Sequence, residues 1–153
     1  EGRDGRSGGR VGGKMGMGKG FGNGCDGMGL CLPRLDQAVS GLFTDLKERG
    51  MMDNTLVVVT GEFGRTPKVL TQQPPGRQHW PRCFSSILAG CGIAGGNVYG
   101  KSDKYGASVT SNPVRPEELA ATIYHALDIP LDEPQNNSAR PITTGKPVLE
   151  LFG

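Results

Sequence analysis

The chain has 153 residues, 26 of them glycine, and a net charge of +2 at pH 7. That charge is too small to imply a nucleic-acid partner by itself, and no apolar run approaches the roughly 18 residues that a membrane span needs. No basic, apolar, small-residue signal segment opens the chain, and it does not start with Met, so it reads as a fragment.

Residues 1–31 form a Gly-rich, basic arm. Thirteen glycines lie before Leu30, with Arg3, Arg6, Arg10, Lys14 and Lys19 spaced among them. No period of 2 or 3.6 runs through it, and so little apolar surface cannot offset chain entropy; the arm is expected to be disordered. Such arms bind nucleic acid when aromatics accompany the cations. Here only Phe21 is available to stack, which favours a linker or non-native sequence over nucleic-acid binding. Cys25, Cys31, Cys83 and Cys91 contain no CxxC pair, so a structural zinc site is not indicated.

Order is expected from Leu32. Pro33 suits the first turn of a helix, and Leu35, Val39, Leu42, Phe43 and Leu46 make one apolar stripe, expected to be core. Gly50 is the expected C-cap. The run Thr55-Leu56-Val57-Val58-Val59-Thr60 has no polar alternation, which suits a strand buried on both faces in a parallel sheet. Helix, short turn and buried strand are the grammar of an α/β sheet.

The strand runs into Gly61-Glu62-Phe63-Gly64-Arg65-Thr66-Pro67, at the place where open α/β sheets bind ligands. A second polar cluster, Gly76-Arg77-Gln78-His79-Trp80, follows, and the two loops are expected to line one site. Cys83 to Gly90 reads as a second strand, and the glycines after it do not make a dinucleotide fingerprint. Asn97 to Gly106 reads as a short hairpin. A last helix is expected from Pro116, with Glu117 and Glu118 in its first turn and Leu119, Ile123, Ala126 and Leu127 as its buried stripe. It ends near Asp128, with His125 at the rim of the stripe. Leu131 to Thr144 reads as irregular, and Pro147 to Phe152 as a segment that tucks back onto the domain.

Glu62 and His79 supply oxygen and imidazole ligands for a divalent ion. Arg65 and Arg77 suit a tetrahedral oxyanion, because each guanidinium donates two parallel hydrogen bonds. The local alternatives are an ion pair between Glu62 and Arg65 that shapes the loop, and packing of His79 against Trp80.

Four strings in order carry a resemblance: Leu32-Pro33-Arg34-Leu35-Asp36-Gln37-Ala38, Asp53 to Pro67, Gly76 to Pro81, and Gly95 to Asp103. Over residues 32–153 the chain resembles the domain-of-unknown-function 1501 family, sulfatase-like proteins of the alkaline-phosphatase-like superfamily. The resemblance implies part of an alkaline-phosphatase-like three-layer α/β fold with a central, mostly parallel sheet. It implies a divalent metal ion (zinc, manganese or calcium) with Glu62 and His79 as ligands, and Arg65 and Arg77 on the oxyanion. The implied substrate is a small-molecule or polysaccharide sulfate or phosphate ester, and the implied location is periplasmic or secreted. Two departures stand out. Phe63 replaces a second ligand, and the Gly-rich arm holds no His where an Asp-x-His motif is expected. The chain is therefore expected to be a metal-dependent ester hydrolase fragment, inactive alone. The alternatives are a non-catalytic binding or scaffold member of the same fold, and nucleic-acid binding through the arm.

Overall fold

A computed structural model describes residues 26–71, 76–132 and 141–153. The expected disorder of the Gly-rich arm and its nucleic-acid role fall largely on residues 1–25, outside the described residues. The described residues form two helices and three two-stranded antiparallel sheets. No helix among them is long and apolar enough to cross a membrane.

Helix α1 spans Asp26–Glu48, so it begins six residues ahead of the expected start at Leu32 and holds Pro33 in its interior. A proline there removes one ladder hydrogen bond and crowds the carbonyl four residues back. That carbonyl belongs to Gly29, an exposed residue with open space where a side chain would stand. The far end closes as expected. Gly50 takes φ +65°, its N–H donates to Lys47 O (3.1 Å), and the Met51 N–H donates to Leu46 O (2.8 Å). This is the Schellman arrangement, which a left-handed glycine permits. The apolar stripe is covered only at this end. Leu46 is buried, but Leu35 and Leu42 remain 48% and 45% exposed, so most of the stripe is not core among the described residues.

The strands correct the expected central, mostly parallel sheet of a three-layer fold. Strand β1 (Val57–Val59) pairs antiparallel with β4 (Ile87–Ala89), Val58 opposite Leu88. Among the described residues between them lie loops and a short ribbon, β2 (Gly64–Arg65) with β3 (His79–Trp80). Parallel pairing needs a crossover, usually a helix; among the described residues none separates β1 from β4, in keeping with a chain that returns in the opposite direction. All three valines are half-buried, and the apolar run therefore does not mark a strand covered on both faces. A hydroxyl contact between Thr60 and Ser86 (2.6 Å) closes one end of the pair.

The hairpin lies further along the chain than expected: β5 (Lys101–Ser102) pairs with β6 (Val109–Ser111) around the turn 103–108. Asp103 builds that turn. Its Oδ1 accepts from the N–H groups of Tyr105 (3.0 Å) and Ala107 (2.9 Å). These donors hold its carboxyl below the usual carboxylate range, the Ala107 N–H contributing most and partial desolvation opposing them.

Helix α2 spans Pro116–Ala126, with Pro116 at its start and Glu118 accepting from the Arg115 N–H (2.7 Å). The buried positions are Ala121 and Thr122, and Leu127 of the expected stripe is 46% exposed. The C-terminal segment tucks back as expected. The Val148 N–H donates to Thr122 Oγ1 (3.0 Å), the Ala94 N–H donates to Leu151 O (2.8 Å), and Phe152 forms a bridge with Ile93. His125 is exposed, with its ring edge-on to Phe152 at 5.0 Å.

Candidate functional site: a cationic groove on the β2–β3 ribbon

The ribbon forms because residues 66–78 turn back on themselves. The Thr66 N–H donates to Gln78 O (2.9 Å), and the Gln78 N–H donates to Thr66 Oγ1 (3.1 Å). A second closure joins Leu70 and Gly76 through paired backbone hydrogen bonds of 2.7 and 3.1 Å. Gly64 opposes Trp80, and a Cβ at Gly64 would collide with the Cys83 carbonyl. Only glycine lets the two segments approach this closely.

Arg65 stands directly opposite His79. Directly opposed residues of an antiparallel pair project from the same face. Arg65, Arg77, Gln78 and His79 line one open groove of ≈ 420 Å³. The two loops thus do meet, and three of the four expected site residues come together. Glu62 does not join them: it is exposed and stands outside the lining of the groove. It also makes no ion pair with Arg65; among the described residues the ion pair is that of Arg49 with Asp45 (2.8 Å).

His79 does not pack on Trp80. Its ring lies against Phe63, centroids 3.9 Å apart and planes tilted by 33°. The Arg65 guanidinium carbon sits 5.4 Å from the centre of the same Phe63 ring. Phe63 was legible only as a missing ligand, yet it holds two groove residues. The only signal was its position two residues before Arg65, in the bend that leads into β2. Trp80 points elsewhere. Its indole N–H donates to Ala107 O (2.7 Å) and joins the ribbon to the turn of the hairpin.

Chemically, the groove offers two guanidiniums, an imidazole and an amide. It has hydrogen-bond donors in excess and no carboxylate among the described residues of its lining. A catalytic zinc takes about three protein ligands, and no three His, Cys, Asp or Glu side chains gather among the described residues. A second groove of ≈ 450 Å³, between α2 and Pro141 to Thr144, is lined among the described residues by one carboxylate, Glu117, and by no cationic side chain. Among the described residues, Cys31, Cys83 and Cys91 form no disulfide.

The family model described as "Protein of unknown function (DUF1501)" matches residues 22–152, and the chain belongs to that family. Searches of the curated proteins and of the solved structures found no match.

Proposed function

We propose that the Arg65–Arg77–His79 groove binds the oxyanion of a sulfate or phosphate ester, and that it serves a sulfatase-like ester hydrolase. The observation that carries this reading is the convergence of Arg65, Arg77 and His79 on one groove with no acidic side chain among the described residues of its lining. Two planar guanidiniums match the oxygens of a tetrahedral anion, and charge-assisted bonds of this kind are roughly twice as strong as neutral ones. Arg65 and Arg77 hold the anion, the Gln78 amide donates a further hydrogen bond, and His79 lies within the groove to donate to an ester oxygen. The reaction class is ester hydrolysis at sulfur or phosphorus, for which charge stabilisation and positioning supply most of the catalysis.

A metal contribution by Glu62 and His79 stays outside this reading, because Glu62 is not in the groove. Among the described residues the lining also contains no Ser, Thr or Cys to serve as a nucleophile. That absence favours a second reading for the chain by itself, in which the groove binds an anion without cleaving the ester. Titration of the purified chain with sulfate and with phosphate tests both. Arg65→Ala and Arg77→Ala are each expected to weaken binding about tenfold, as the loss of one charged hydrogen-bonding partner implies. Binding that is unchanged in the double variant removes the proposal. Turnover of an aryl sulfate or aryl phosphate that is lost in the same variants selects the hydrolase reading over the binding one.

A further inference from the structure

We infer that Phe63 is a positioning residue of the groove, holding His79 and Arg65 in the arrangement that receives the anion; this rests on the oxyanion reading above. The Phe63 ring has a partner in each of the two strands of the ribbon. His79 on β3 lies against it with centroids 3.9 Å apart, and Arg65 on β2 places its guanidinium carbon 5.4 Å from the ring centre. A guanidinium within about 6 Å of an aromatic centroid is attracted by the negative face of the ring. Packing of the imidazole against the same ring adds a second aromatic contact.

Phe63 is not explained by core packing. The buried residues among those described are Leu46, Gly90, Ala121, Thr122 and Val148, none of them in the ribbon, and Phe63 itself is only half-buried. Its contacts are instead with side chains that are themselves exposed, Arg65 and His79. A long, solvated arginine loses rotamer freedom when it binds an anion. The ring takes up part of that loss beforehand by holding the guanidinium close to its bound position. The same ring fixes the plane of the His79 imidazole opposite Arg65. The guanidinium and the imidazole then face the anion together.

The test combines sulfate titration with proton NMR of the His79 ring in the full chain. Wild-type protein is expected to bind sulfate and to show His79 ring protons displaced upfield by the ring current of Phe63. Phe63→Leu keeps the apolar bulk and removes the π face. It is expected to weaken sulfate binding about fivefold, the order of one cation–π contact, and to abolish the upfield displacement. Phe63→Tyr is expected to restore both to within about twofold. If Phe63→Leu does not fold, Phe63→Met takes its place. If neither folds, the wild-type spectrum decides, and His79 ring protons without an upfield displacement overturn the inference. Sulfate binding by wild type and Phe63→Leu with equal affinity overturns this inference alone. No sulfate binding by the wild type overturns the oxyanion reading and this inference with it.

Discussion

The β2–β3 ribbon and the clasp between α2 and the C-terminal segment are built in opposite ways. The clasp is tight. Thr122 is fully buried, its hydroxyl donates to Glu118 O at 2.7 Å, and it accepts the Val148 N–H at 3.0 Å. Gly145 packs so closely on Glu117 that a Cβ there would strike the Glu117 backbone. The ribbon is open. Its candidate site side chains Arg65, Arg77 and His79 are exposed; Arg65 and His79 are held by backbone pairing and one aromatic ring, and one indole hydrogen bond anchors the ribbon. The tight packing and the candidate site thus lie in different parts of the described chain. Among the described residues, the groove beside the clasp is lined by one carboxylate and no cation, whereas the ribbon groove is lined by three basic side chains and no carboxylate.

The comparison predicts that clasp variants lower stability and leave anion binding alone. The largest effect is expected for Gly145→Ala, which drives a methyl group into the Glu117 backbone; overpacking of this kind costs about 3 kcal/mol. A urea titration followed by circular dichroism measures it. Equal midpoints for variant and wild type would show that the segment yields freely.

Next comes Thr122→Val, which keeps the shape and removes the hydroxyl. The Val148 N–H then loses its partner at a buried site, at about 2 kcal/mol. Hydrogen exchange at Val148 is expected to accelerate, while sulfate affinity measured on the folded protein stays within about twofold. A fall in affinity as large as that expected for Arg65→Ala would break the separation between the two regions.

The smallest effect is expected at Asp103, on the ribbon side. Its carboxyl is held below the usual carboxylate range, chiefly by the Ala107 N–H, so the folded state favours the ionised form. The stabilisation is complete above the ordinary carboxylate range and is lost as the pH falls below about 4. Acid is therefore expected to loosen the turn 103–108 before it touches the clasp. Amide exchange at Tyr105 and Ala107 should rise in acid for the wild type and be already fast at neutral pH in Asp103→Ala. Exchange that does not respond to pH would place the turn's stability elsewhere.

Local chemistry was legible in the sequence where a single residue dictates it. Gly50 closes α1 because the left-handed cap needs a glycine, and Pro116 opens α2 because its ring is preset for a first turn. The convergence of Arg65, Arg77 and His79 was also legible, from two polar clusters that each follow turn residues. Three features were not. The valine run suggested burial on both faces, but apolarity alone does not report the direction of the partner strand, and the return of the chain through the ribbon set it antiparallel. The stripe on α1 has helical spacing, yet periodicity names a face without naming what covers it; Leu35 and Leu42 stay exposed. Glu62 precedes Arg65, the first groove residue, and stays out of the groove, because the strand of the ribbon begins only at Gly64.

The chain has one tryptophan, and its indole N–H reaches from the ribbon to Ala107 O in the neighbouring hairpin. The sole strong fluorophore of the protein therefore sits at the joint between two small sheets. Its emission is a built-in gauge of whether that joint is closed, read in unlabelled protein and independent of the helical content.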